Sequence, residues 1–366
     1  MNNIISIVVP IYNASCHIPI LIESIQKQTY TDWELLLVDD GSKDNSLEIC
    51  KKYLAEDARI KVLHQENQGP SSARNKGILA ATGEWVTFVD ADDSLLDCFL
   101  SSMVEMLHCE QDIDIVFAGY VVAESNRNGL YTYNSAVYNG FDAVKEAIAK
   151  TNILHRCCPW GKMFRRSVMI ENNVLFDVEL AHSEDRLFVY EYLLHTRGMA
   201  TTSAIGYLYD STQMGTLKNK VLSVEKLKQR QQKLTIAANK VINHFGLKSD
   251  ELFPIAKHLI PLYANAVQGC YHAIGNTQLT LAEQMKLYEE YFDQNLYAEV
   301  KNIDSWKRFS SNNDMLMLAI NCDFKNINAQ LSLIDKKIKI RRLIDKLLRR
   351  KFNGQSFAKV VSILNR

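Results

Sequence analysis

The chain has 366 residues, 47% of them hydrophobic and 23% charged, which describes a folded protein with a sizeable core and two or three domains rather than a disordered or fibrous chain. Its 42 basic and 42 acidic side chains cancel, and no apolar run reaches the length a membrane-spanning helix needs. The start, Met1-Asn2-Asn3-Ile4, lacks a basic stretch followed by an apolar one, so no secretory leader is expected and the expected location is cytoplasmic.

The balance of charge is uneven along the chain. Residues 336–351 hold nine Lys or Arg and one acid, Asp345, leaving 33 basic against 41 acidic residues elsewhere. The eight cysteines form no Cys-x-x-Cys pair and have no histidines at zinc spacing, which reads as free thiols packed as small hydrophobes. Cys157 and Cys158 are neighbours, a spacing that strains a disulfide between them.

In chain order, apolar runs at Ile4–Val9, Leu35–Val38, Ile60–Leu63, Val86–Val89 and Ile113–Ala118 predict strands buried on both faces. Helical stripes lie between them: Ile18, Leu21, Ile22 and Ile25; Leu47, Cys50 and Leu54; Ala73, Gly77, Ile78 and Ala81; Leu100, Val104 and Leu107. This alternation implies a doubly wound, mostly parallel α/β sheet, whose ligands sit beyond the carboxyl ends of the strands. Further on, helices are predicted over Phe141–Lys150, Phe164–Glu171 and Glu184–Leu194, with a short β ribbon between Met199 and Tyr209. After Lys218 the alternation stops, and helical patterns cover Val221–Phe245, Leu252–Ala273, Leu281–Phe292, Asp314–Cys322 and Ile327–Leu348. The division that follows is a catalytic domain over 1–214, in halves 1–120 and 121–214, and a helical region over 215–366.

Polar clusters stand where strands one, two and four end: Tyr12-Asn13, Asp39-Asp40-Gly41-Ser42 and Asp90-Ala91-Asp92-Asp93. Three carboxylates within four residues repel one another unless a cation sits between them. Carboxylates suit hard cations such as Mg²⁺ or Mn²⁺, which in turn bind phosphates. Asp93 either adds a ligand or caps the next turn. Tyr12 can lay its ring against a planar base, and Asp40 can accept a hydrogen bond from a base N–H or serve its own turn. Arg74 lies near the start of a helix preceded by Gly-Pro-Ser-Ser, a place that favours an anion. Gly69 and Gly77 suit a turn and close packing, while Asp44 or Asn45 caps the second helix.

Four ordered words carry a specific resemblance: Ile7-Val8-Val9-Pro10-Ile11-Tyr12-Asn13; Leu36-Leu37-Val38-Asp39-Asp40-Gly41-Ser42-Lys43-Asp44-Asn45-Ser46; Asn67-Gln68-Gly69-Pro70-Ser71-Ser72-Ala73-Arg74-Asn75-Lys76-Gly77; and Ala81-Thr82-Gly83-Glu84-Trp85, running into Asp90-Ala91-Asp92. The chain resembles the family 2 inverting glycosyltransferases of GT-A fold, of the kind that builds bacterial surface polysaccharides. The resemblance is strong over 1–120, moderate over 155–195 and nearly absent beyond. It implies that Pro10, Tyr12, Asn13, Asp40, Arg74, Asp90 and Ala91 meet a nucleoside-diphosphate sugar, foremost a UDP-sugar. It also implies that Asp92 binds Mg²⁺ or Mn²⁺, with Asp90 at the ribose or a metal-bound water.

The segment His182-Ser183-Glu184-Asp185-Arg186 resembles the family's late Glu-Asp word, which makes Asp185 the general base and Glu184 its neighbour or substitute. The competing reading is an acidic helix start. A base acting on the acceptor hydroxyl implies one displacement with inversion, and no nucleophile for a double displacement is evident. In Cys158-Pro159-Trp160-Gly161-Lys162, Trp160 can stack on an acceptor sugar or be buried, and Lys162 can meet phosphate or lie on the surface.

The tail 335–352 alternates basic residues with Ile340, Leu343, Ile344, Leu347 and Leu348, the composition of a helix lying on an anionic membrane or packing on the body. A peripheral place on the inner membrane face and a glycan or lipid-linked sugar acceptor follow from the resemblance. Nucleic acid is not expected as a partner, because the acidic body would oppose it. A nucleotidyltransferase or a dinucleotide-binding dehydrogenase would show a glycine-rich loop after the first strand, where this chain has Pro10-Ile11-Tyr12-Asn13. The remaining alternative is an inactive homologue that binds glycans or scaffolds a complex.

Overall fold

The computed structural model describes residues 4–108, 112–123, 128–150, 153, 157–180, 183–210 and 224–247. The chain alternates β1 (Ile5–Ile11), α1 (Ile18–Gln26), β2 (Trp33–Asp40), α2 (Ser46–Glu56), β3 (Ile60–Gln65), α3 (Pro70–Ala80) and β4 (Trp85–Phe88). There follow β5 (Ser94–Leu95), α4 (Phe99–Leu107), β6 (Ile115–Ala123), β7 (Asn128–Tyr131), β8 (Ala136–Asn139), α5 (Phe141–Lys150), β9 (Lys162–Arg165), α6 (Arg166–Glu171), α7 (Glu184–Leu193), β10 (Gly198–Asp210) and α8 (Val224–Phe245).

One sheet runs β3-β2-β1-β4-β9-β6-β10-β5, with β7 beside β6 and β8 beside β10. Strands β3, β2, β1 and β4 are parallel, with Ile7 facing Leu35 on one side and Thr87 on the other. All eight residues of β2 are buried, as an apolar run covered by helices on both faces requires. Gly77 lets α3 lie against β1, since a Cβ there would collide with the Val8 side chain. Gly69 takes φ +92 at the turn into α3.

A buried carboxylate ties the base of the parallel half together. Glu34 accepts hydrogen bonds from Ser6 Oγ (2.6 Å), Lys61 Nζ (2.7 Å), the Thr82 N–H (2.6 Å) and the Gly83 N–H (3.2 Å). Burial alone would raise its pKa, but these donors overcome that and bring it down to about 2.

The second half departs from the expected elements in two places. The predicted helix Phe164–Glu171 begins only at Arg166, because Phe164 sits in β9. That strand is wedged antiparallel between β4 and β6, with Phe164 opposite Val86 and Ile115, and burial in the sheet overrides a helical periodicity. The ribbon expected over Met199–Tyr209 is a thirteen-residue strand, β10, parallel to β6 and antiparallel to β5 and β8. Its register shifts between Thr201 and Tyr207.

Helix α8 packs on this body: Lys240 pairs with Glu191 of α7 at 2.7 Å, Lys233 with Asp177 at 2.6 Å, and Phe245 stacks on Phe141. The remaining predicted helices and the basic tail lie outside the described residues. No helix among the described residues is long and apolar enough to cross a membrane. Cys16, Cys50, Cys98, Cys157 and Cys158 are free thiols.

Candidate active site

The loops after β1 and β2 are knitted to each other. The Asn13 N–H donates to Ser42 Oγ (3.0 Å), and Asn13 Oδ1 accepts the Lys43 N–H (2.8 Å), with Asn13 at φ 51. Asp44 accepts from the N–H groups of Ser15 and Ser46 and so both joins the loops and starts α2; Asn45 makes no side-chain cap. Pro10 is half-buried in β1, and Tyr12, just beyond the strand, is 36% exposed.

Asp40 is buried and accepts three hydrogen bonds of 2.8 Å, from Gln65 Nε2 and from the N–H groups of Gln68 and Gly69. A carboxylate has about four acceptor positions, so Asp40 holds the turn into α3 and keeps one position to offer. Asp39 is fully buried; its Oδ2 lies 2.8 Å from His64 Nδ1, and its Oδ1 finds no hydrogen-bond partner among the described residues.

After β4 the three carboxylates take different directions. Asp93 points into the protein, accepting the Tyr207 hydroxyl at 2.5 Å and the Asp210 N–H at 2.9 Å. Burial, then the nearby charge of Asp90, raises it to about 9. The Tyr207 hydroxyl also accepts the Asp90 N–H (3.2 Å), so β10 anchors the turn; neither role expected for Asp93 describes this tie. Ala91 packs against the core. Asp92 is half-buried, and burial and the charge of Asp90 both raise its pKa.

Among the described residues, no three His, Cys, Asp or Glu side chains form a metal cluster by themselves. Asp90 and Asp92 do fit a hard cation that completes its shell with water and phosphate oxygens, as Mg²⁺ sites commonly do. A divalent charge would offset the negative charge of Asp90 that helps raise the Asp92 pKa.

Arg74 joins this turn to α7, 111 residues downstream of it. Its guanidinium is buried, with Nη2 donating to Asp90 Oδ1 (2.8 Å) and Nη1 to Asp185 Oδ1 (3.1 Å), while Glu184 Oε1 lies 3.7 Å from Nη1. Residues 74, 90 and 185 thus meet at one point. Asp185 lies in the first turn of α7 and keeps 30% of its side chain exposed. Burial pushes its carboxyl up to about 7; Arg74 opposes this, and Glu184 and Asp90 reinforce it. An acidic first turn also suits the helix dipole, but here both acids face a buried cation. His182 lies outside the described residues.

The two residues expected to receive an acceptor are folded inward. Trp160 is 7% exposed and stacks on Tyr207 and Tyr209, with Tyr120 edge-on. It therefore presents no open face to a sugar. Lys162 is 3% exposed in β9, and its ammonium donates to the carbonyls of Cys158 (2.5 Å) and Trp160 (3.5 Å) rather than standing at the surface. The reason is β9 itself, which carries the segment into the middle of the sheet. Sequence reasoning missed Tyr207, whose tie to Asp93 spans 114 positions and leaves no local signal. It also missed the part played by Asn75, although that residue stands inside the third word.

Residues 6–172 match the family described as Glycosyl transferase family 2. The chain is 33% identical over 274 residues to the uncharacterized glycosyltransferase EpsJ of Bacillus subtilis, covering 72% of this chain and 78% of that one. It is 40% identical over 157 residues to glycosyltransferase GlyG of Streptococcus pneumoniae, a match that spans 43% of this chain and half the length of GlyG. A crystal structure of residues 1–349 of S. aureus TarS in complex with UDP-GlcNAc superposes with a TM-score of 0.64 at 20% identity, over 91% of this chain and 92% of that one. That likeness establishes a shared fold, and the bound nucleotide sugar belongs to TarS. The chain belongs to glycosyltransferase family 2.

Proposed function

From that membership we propose that the protein transfers a sugar from a nucleoside-diphosphate sugar, foremost a UDP-sugar, to a hydroxyl of a glycan or lipid-linked oligosaccharide, with inversion. The observation that carries the reading is the buried Arg74, which holds Asp90 and Asp185 through one guanidinium at 2.8 and 3.1 Å. Those residues are 95 positions apart in sequence, and one cation between them sets a donor-side carboxylate beside a proton acceptor.

In this reading Tyr12 stacks on the base, and the remaining acceptor position of Asp40 takes a base N–H. Asp92 and Asp90 hold Mg²⁺ or Mn²⁺, which when bound stabilises negative charge on the leaving diphosphate. Asp185 takes the proton of the acceptor hydroxyl. A carboxyl held near neutrality suits that task, since it is charged at working pH yet basic enough to accept. Glu184 shares the charge of Arg74 and so keeps Asp185 from being bound too tightly in its ionised form. The UDP-GlcNAc held by TarS on the same fold makes UDP-sugars the first donors to test. Surface polysaccharide synthesis, with a peripheral position at the inner membrane face and the basic tail on anionic lipid, completes the proposal.

The test is release of UDP or GDP from a panel of nucleotide sugars, with and without Mn²⁺, alongside thermal shift to rank the donors. Metal-dependent release of one nucleotide in the presence of an acceptor is the expected result. Donor binding with no release under any acceptor would favour an inactive, glycan-binding homologue.

A further inference from the structure

Asn75 follows Arg74 on α3, and both polar atoms of its amide are taken by one residue 101 positions downstream. Nδ2 donates to the carbonyl of Phe176 at 2.8 Å, and Oδ1 accepts the Phe176 N–H at 2.8 Å. A side-chain amide that satisfies both main-chain groups of one residue fixes that backbone in rotation as well as in place.

The ring so fixed touches the elements that supply Arg74, Asp90 and Asp185. Phe176 stacks face-on against Phe188 of α7, with centroids 4.1 Å apart and planes 4° apart. Phe188 stands three residues after Asp185. Phe88 of β4, two residues before Asp90, meets the Phe176 ring edge-on at 5.2 Å and the Phe188 ring at 5.7 Å. The Arg74 guanidinium lies 5.3 Å from the Phe176 centroid. Helix α7 also needs support from outside itself, because Ser183 at its start is left-handed (φ 70) and its side chain makes no capping bond.

We propose that Asn75 is a positioning residue for the transfer step: it holds Phe176 so that Arg74, Asp90 and Asp185 keep their spacing. The inference rests on Asp185 acting as the base. Asparagine is the residue the contact requires. Aspartate has no donor and sets a carboxylate oxygen against the Phe176 carbonyl. Alanine leaves both main-chain groups without their partner. The proposed contacts to the base, Tyr12 and Asp40, are not among the three groups the clamp spaces, so its loss should fall more on turnover than on donor binding.

The experiment is steady-state kinetics of the full chain with its active donor, comparing wild type with Asn75→Ala and Asn75→Asp. Misplacement of about 1 Å can lower a rate by about 100-fold, so kcat should fall by about 10- to 100-fold, with donor KM changing by a smaller factor. Phe176→Leu should show the same split, and Asn75→Ala/Phe176→Leu should be no slower than the worse single variant, because both act through one contact. Thermal unfolding of each sample gives the folded fraction at the assay temperature. An unchanged kcat in Asn75→Ala overturns the proposal, as does a loss carried by donor KM, or one that vanishes after correction for folded fraction. Wild-type transfer by Asp185→Asn would remove the base assignment instead. A silent Asn75→Ala beside an inactive Asp185→Asn would overturn the positioning role alone.

Discussion

In residues 4–108 Tyr12, Asp40 and Asp92 stay beside the strands that carry them, whereas in 157–210 Asp185, Trp160 and Lys162 are placed by packing against other segments of the chain. Tyr12, Asp40 and Asp92 stand at or just past the ends of β1, β2 and β4, where a parallel sheet exposes its ligand edge. Asp185 reaches the site through Arg74, and Trp160 and Lys162 leave the surface because β9 enters the sheet. In the first region local order is enough to locate a functional group. In the second, location belongs to packing, and a substitution there acts on geometry before it acts on chemistry.

Removing the base should give the largest effect and test the second region directly. Asp185→Asn is expected to lower turnover by about 10²- to 10⁴-fold while donor binding with Mn²⁺, measured calorimetrically, stays intact. Asp92→Ala should do the reverse, abolishing the metal-dependent thermal shift given by the donor. If both variants lose donor binding equally, the two regions do not divide the work as described.

The pH profile sharpens the same contrast. The carboxyl of Asp185 is raised to about 7, so it is protonated and unable to accept a proton below that pH. Turnover should rise with pH through about 7 and then level, at a rate near tenfold per unit on the acid side. Persistence of that limb in the residual activity of Asp185→Asn would assign it to another group.

Trp160→Ala should cost stability, about 3–5 kcal/mol from cavity formation, seen as a lower unfolding midpoint in denaturant. An acceptor KM that rises several-fold in Trp160→Phe without loss of stability would show that the ring meets sugar after all.

The smallest expected effect lies in the first region. The pKa of Glu34 is lowered to about 2, so its stabilisation is present above about pH 4.5 and is lost as pH falls toward 2. Glu34→Gln should weaken the fold at neutral pH by about 1–3 kcal/mol and flatten the acid limb of the stability curve. An unaltered limb would place the acid-sensitive group elsewhere.

The residue order alone determined the parallel half: its strands, its helices, the turn at Gly69, the close approach at Gly77 and the carboxylate cluster at one strand end. Buried parallel strands are continuous apolar runs, and the loops they project are short, so neighbours in sequence remain neighbours in space. The inward turn of Asp93 onto Tyr207, the sharing of Arg74 between Asp90 and Asp185, and the burial of Trp160 and Lys162 were decided only by tertiary structure. Each depends on contacts between segments far apart along the chain, and periodicity reports which face a residue shares with its near neighbours, not which distant partner that face will meet.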